Sequence, residues 1–174
     1  MRSSRRPIPP LDRASLDRLA LRYVERFATT RGKLTAYLAR KIRERGWDGE
    51  PADPQAIAER FAELGYINDR LYAESKAAAM ARRGLGARRV GEALRHAGIE
   101  GDDAEAVAPQ VEERAEETAL AFARRRRIGP YATAVADREA IAKQVAAMVR
   151  AGHSPALAWR IARMEPDADV DGLI

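Results

Sequence analysis

The sequence predicts an all-α chain of three tandem three-helix repeats forming an elongated, curved module, and three observations predict it. An amphipathic stretch ending in Gly and a large or apolar residue occurs three times: LTAYLARKIRERGW (Leu34–Trp47), GARRVGEALRHAGI (Gly86–Ile99) and AIAKQVAAMVRAGH (Ala140–His153). Aligning Gly46, Gly98 and Gly152 gives spacings of 52 and 54 residues, with Ile42, Leu94 and Met148 four residues before each. Self-similarity at a fixed period marks a repeat architecture. Composition agrees: 36 residues are Ala and only ten are Phe, Trp or Tyr, which favours helices with thin cores over sheets. Val90, Ala93, Leu94 and Ala97 then supply the i, i+3, i+4, i+7 stripe of a helix with one buried face.

The elements follow in order. Residues 1–14 read as a disordered basic arm, because Pro7, Pro9 and Pro10 block a helix. Repeat 1 takes residues 15–65. Ser15 caps a helix carrying Leu16, Leu19, Ala20, Tyr23, Val24 and Phe27; Thr29 or Thr30 caps a second that Gly46 closes; Asp53 caps a third with Ile57, Phe61 and Leu64. Repeat 2 takes residues 66–111. Asn68 or Asp69 starts a helix with Leu71, Tyr72, Ser75 and Ala79 inward, and Arg83-Gly84-Leu85-Gly86 makes the turn. Its second helix stops at Gly98, and Asp102 starts a short third. Repeat 3 takes residues 112–165: one helix over Glu112–Arg127, a loop at Gly129-Pro130, a helix from about Asp137 to Ala151, and a last one opened by Ser154-Pro155. Residues 166–174 read as a loose acidic tail. Each unit is too small to bury its apolar face alone, so neighbours pack side by side.

The bulk numbers narrow the function classes. No run approaches the roughly 20 apolar residues a membrane-spanning helix needs, and MRSSRRPIPP lacks the apolar core of a secretory signal. Without Cys there is no disulfide framework and no thiolate metal site. A cytoplasmic, soluble, monomeric protein is expected. Residues 1–100 hold 21 Lys and Arg against 13 Asp and Glu, while residues 101–174 hold 10 against 13. Nearly all the cations are Arg, whose planar fork suits phosphate and carboxylate. Such a lopsided basic chain points to a polyanion or an acidic protein surface as partner.

No catalytic constellation is visible, so no enzyme activity, metal or cofactor is expected. His96 and His153 lie in different repeats without companion ligands and read as solvent-facing or capping residues. GLGARRVG (Gly84–Gly91) lacks the spacing of a nucleotide-phosphate loop and follows a helix rather than a strand. The basic segments carry more. Lys76, Arg82, Arg83, Arg88, Arg89 and Arg95 face a single acid, Glu92, and the apolar stripe turns Arg88, Arg89 and Arg95 outward. The helix start behind Arg82-Arg83-Gly84 would also offer backbone N–H groups to a phosphate. Arg124, Arg125, Arg126 and Arg127 form a second cluster, also explicable as cations at a helix C-terminus. Lys33, Arg40, Lys41, Arg43 and Arg45 make a third basic helix. If the repeats stack in a curve, the three can line one concave surface, whereas Trp47 and Tyr66 read as packing residues.

ERFAELGYINDRLYAE (Glu59–Glu74) followed by RRGLGARRVGEALRHAGI (Arg82–Ile99) resembles the RecX family of RecA regulators. Leu64, Gly65, Tyr66, Asp69, Tyr72 and Ala73, then Gly84, Arg88, Arg89, Val90, Leu94, Gly98 and Ile99, carry the resemblance. It extends over roughly residues 15–165. Departures are Asn68-Asp69 for an acidic pair, Thr30-Arg31-Gly32-Lys33 at the start of a helix, and Gly152-His153 where an aromatic is usual.

The resemblance implies a non-enzymatic regulator that binds RecA and its filament on single-stranded DNA and inhibits recombinase and coprotease activity, and with it the SOS response. It also implies tandem three-helix repeats without a cofactor. The alternative is a sequence-independent binder of single- or double-stranded DNA. A helix-turn-helix regulator is disfavoured by the absence of a recognition helix rich in Asn, Gln and Ser.

Overall fold

A computed structural model describes residues 9–171, so residues 1–8 of the expected arm and 172–174 of the expected tail lie outside the described residues. Among the described residues the chain is helical with no strand. The order is α1 (Arg13–Arg26), α2 (Arg31–Arg45), α3 (Pro54–Glu63), α4 (Asp69–Arg82), α5 (Ala87–His96), α6 (Asp102–Glu105), α7 (Ala108–Glu113), α8 (Ala115–Arg126), the 3-10 turn η1 (Gly129–Tyr131), α9 (Arg138–Arg150) and α10 (Pro155–Ala162). The helices gather into two compact units: Met1–Tyr72 with Ala97–Ile99, and Ala73–His96 with Glu100–Ile174.

In the first unit α1 and α3 pack against α2. Leu16, Ala20, Leu34, Leu38, Ala58, Phe61 and Ile67 form its core, joined by Leu11 from the expected arm. Leu11 is fully buried because its N–H donates to the Gly46 carbonyl (2.9 Å) and its carbonyl accepts from Asp48 N–H (2.8 Å). That parallel bridge ties down the chain at Leu11 before α1, while Asp12, Arg13 and Ala14 stay exposed. A buried Leu contributes about 1.5–3 kcal/mol. The first cap also moves: Asp12 is the N-cap of α1, accepting from Ser15 N–H, and the Ser15 hydroxyl in turn accepts from Asp12 N–H in a capping box. Thr30, Asp53, Asn68, Asp137 and Ser154 cap their helices by side-chain oxygens.

In the second unit α10 and η1 pack on α8, and α10 packs on α9. Ala119, Phe122, Ala123, Ile128, Val145, Met148, Ala158 and Ile161 make the core, small residues letting the helices approach closely. The single helix expected over 112–127 is two, broken at Arg114. The Thr118 hydroxyl donates to the Arg114 (2.9 Å) and Ala115 (3.0 Å) carbonyls, and such back-bonding bends a helix. The tail is anchored as far as Asp167, whose N–H donates to the Pro130 carbonyl (2.9 Å), and Val170 packs on the core. On α4, Leu71 and Ser75 face solvent while Ala73, Ala77 and Met80 are buried, a rotation of the expected inner face.

Two joints recur, one in each unit. Gly32, in the first turn of α2, meets Gly98, just past the end of α5: a Cβ built on Gly32 would lie 2.7 Å from Gly98 Cα. The Thr30 hydroxyl donates to the Ala97 carbonyl at the same place. Gly86, before α5, meets Gly152, just past α9, and a Cβ there would fall on the Gly152 carbonyl. Gly86 N–H donates to Ala151 O (2.9 Å) and Arg88 N–H to Gly152 O (3.2 Å). Each joint sets the orphan carbonyls of one helix end against the start of another helix.

Candidate functional site

Of the cations singled out from the sequence, those of the third basic helix belong to the first unit and all the others to the second. In the second unit the turn between α4 and α5 lies against α8. A Cβ on Gly84 (φ +63) would come within 2.9 Å of Phe122 N and 2.7 Å of Arg125 Nη2. Glycine is the residue that fits, since the site demands both a positive φ and room. This contact places Arg125 beside the turn that bears Arg82 and Arg83, all three exposed. The two basic runs, far apart in sequence, therefore meet.

The arginines of α5 are exposed as expected, but not idle. Arg88 donates to Glu92 through Nη1 (2.5 Å) and to the Val149 carbonyl through Nη2 (2.8 Å). Arg89 Nη1 donates to the other oxygen of Glu92 (3.0 Å). The Arg89 hydrogen bond first, then the charges of Arg88 and Arg89, hold the Glu92 carboxyl below the usual range. The free helix start expected here is taken: the Gly86 and Arg88 amides serve the carbonyls that end α9. Any anion bound at α5 is held by side chains instead.

Elsewhere in the unit, Arg124 lies over the Tyr131 ring (5.0 Å to its centroid) and Arg126 over the Phe122 ring (5.8 Å). Arg127 ends α8 in the left-handed region, φ 55. Arg95 is exposed on α5. In the first unit Lys33 Nζ donates to the Tyr72 hydroxyl, and Arg40 (3.2 Å) and Lys41 (2.7 Å) both reach Glu44. The Lys41 hydrogen bond is the main reason the Glu44 carboxyl is held low. Asn68-Asp69 divides its work: Asn68 caps α4, and buried Asp69 accepts from Arg31 N–H (3.0 Å) and Nε (2.9 Å).

His153 corrects its expected role. It is 5% exposed, its ring tilted against Phe122 (5.7 Å between centroids), with Nε2 3.1 Å from the Gly84 carbonyl. A carbonyl only accepts, so the neutral ring carries its proton on Nε2. Burial lowers its pKa; the Gly84 hydrogen bond partly opposes this. His153 thus fastens the basic turn from inside. Tyr66, read as a packing residue, is half exposed and packs its ring against Phe61. Among the described residues no cluster of three His, Asp or Glu could hold a metal, and no helix is long and apolar enough to cross a membrane.

What this arrangement can do is bind an anion by arginine side chains held on rigid helices. No family profile matches the chain. A "Regulatory protein RecX" of Myxococcus xanthus is 32% identical over 163 residues, covering 87% of this chain and 86% of that one. Another "Regulatory protein RecX", from Thermobifida fusca, is 30% identical over 155 residues, covering 87% and 78%. The crystal structure of RecX from Lactobacillus salivarius matches with a TM-score of 0.59 at 21% identity, over 85% of this chain and 92% of that one, a likeness of fold.

Proposed function

The chain belongs to the RecX family of regulatory proteins, and from that premise we propose that it binds RecA and the RecA filament on single-stranded DNA, lowering recombinase and coprotease activity. It acts in the cytoplasm beside RecA, as a monomer, by contact rather than by catalysis: bridging successive RecA protomers, blocking extension or promoting subunit loss. The observation that carries the reading is the relation to two regulators over most of both chains' lengths. The cluster of Arg82, Arg83 and Arg125 in the second unit, with exposed Arg89 on α5, supports it, because a RecA filament on DNA presents phosphates and acidic protein together. Arg88, Arg95, Arg124, Arg126 and Arg127 extend that contact, and Lys33, Arg40 and Lys41 supply one from the first unit.

The test is ATP hydrolysis by RecA on single-stranded DNA, with this protein added far below the RecA concentration. Progressive loss of hydrolysis at such ratios is the expected result, since competition for DNA cannot act there. An effect only when the protein coats the DNA favours the second reading, a sequence-independent nucleic-acid binder, for which the same arginines speak.

A further inference from the structure

Helices in both units carry one arrangement: two adjacent cations and, beyond them, a single glutamate. Glu44 on α2 accepts from Arg40 with one oxygen (3.2 Å) and from Lys41 with the other (2.7 Å). Glu92 on α5 accepts from Arg88 (2.5 Å) and Arg89 (3.0 Å) in the same way. The i, i+3 and i, i+4 spacings let one carboxylate reach both. On α5 the clamp is also held from behind: Arg88 Nη2 stays on the Val149 carbonyl (2.8 Å) whichever anion takes Nη1.

We infer that the carboxylate of Glu92 is the resident stand-in for a phosphodiester, and that the α5 clamp takes the backbone of single-stranded DNA by exchange, carboxylate out and phosphate in. Glu44 holds the equivalent seat on α2. The inference rests on the nucleic-acid part of the reading above. Both partners of each pair are exposed enough for water to screen them, so the pairs are weak and exchange is not blocked. The ligand class follows from what Glu92 already is. A carboxylate from an acidic protein brings no chemistry that Glu92 lacks, and Glu92 is tethered at high effective concentration. A phosphodiester strand brings charge at every residue and releases a condensed counterion for each phosphate neutralised. On α9 the contrast is plain: among the described residues Glu139 pairs with Lys143 (2.6 Å) and with no second cation, so phosphate gains no second cation there.

The experiment is fluorescence anisotropy of labelled oligo(dT) titrated with the full chain at several salt concentrations, comparing wild type, Glu92→Gln and Glu139→Gln. Gln is as good a helix former as Glu, so both variants fold. Glu92→Gln is expected to bind about two- to fivefold tighter, and to steepen the fall of log K with log salt by about 0.7. Glu139→Gln, with the same change in net charge, should move neither by that amount. Equal effects of the two variants, or none from Glu92→Gln, overturn the clamp. Polyglutamate displacing the oligonucleotide as well as an unlabelled strand overturns the choice of phosphodiester. A wild-type chain that binds no oligo(dT) yet suppresses RecA hydrolysis sinks the clamp and leaves the regulator standing. Clamp behaviour as expected, with RecA hydrolysis untouched, does the reverse.

Discussion

Gly86 and Gly152 touch main chain to main chain, the start of α5 against the end of α9, leaving no room for a Cβ on Gly86. Gly86→Ala therefore forces the two backbones apart and should cost about 1–3 kcal/mol. Gly91, inside α5, has only the end of Arg95 within reach at 3.6 Å, and Gly91→Ala should stabilise by about 0.5–1 kcal/mol. Urea melts of the two variants check the pair. Opposite signs support the joint, and equal signs argue against it.

Thr30 works twice, its buried oxygen accepting from Lys33 N–H (3.1 Å) and donating to the Ala97 carbonyl. Thr30→Val keeps the shape but loses both bonds, for about 1–2 kcal/mol. Thr30→Ser should recover most of that in the same melts.

Arg88 and Arg89 differ although adjacent. Arg88 ties α5 to the end of α9 through the Val149 carbonyl, whereas Arg89 hydrogen-bonds to Glu92 on its own helix. Arg88→Ala should therefore lose about 1 kcal/mol of stability as well as filament affinity. Arg89→Ala should lose affinity alone. Calorimetry alongside co-sedimentation with RecA filaments separates the two, and identical melting of both variants contradicts the assignment.

His153 gives the stability a pH dependence of known sign. Its folded pKa lies below the unfolded value of about 6.5, so the unfolded chain takes up the proton first. Stability is full above about pH 6.5, falls as pH drops below it, and levels off beneath the folded pKa. Glu44, Glu92 and Asp12 are all held below their ordinary values by their hydrogen bonds, so their losses begin only below about pH 4.5. Between about pH 7 and 5 the melting temperature should thus fall in wild type and much less in His153→Gln. Parallel slopes would clear His153 of the effect.

Local chemistry made much of this legible. The caps at Asp53, Asn68, Asp137 and Ser154 each need only a short polar side chain three residues ahead of the amide it serves. What the sequence hid was long-range. Gly46, Gly98 and Gly152 stand out as a period, but nothing marks Gly32 and Gly86 as their opposites, because a close approach is a property of two distant segments. For the same reason the sequence alone leaves the amides at the start of α5 without partners, which the carbonyls at the end of α9 supply. On α4 Ala occupies several faces, so hydropathy could not decide between Leu71 and Ala73 as the inner side. His153 reads as a surface residue in the sequence because only its fold neighbours, Gly84 and Phe122, make it a core residue.

The joints between glycines are written in main-chain atoms, and that has an evolutionary consequence. A contact that uses almost no side chain is indifferent to substitution around it. Copies of such a unit, once duplicated, can drift in sequence and still click together, with charge, aromatic content and helix length free to specialise. The pair at Gly32 and Gly98 and the pair at Gly86 and Gly152 share little besides glycine, yet make the same connection. Divergence stops only where a methyl group would have to fit.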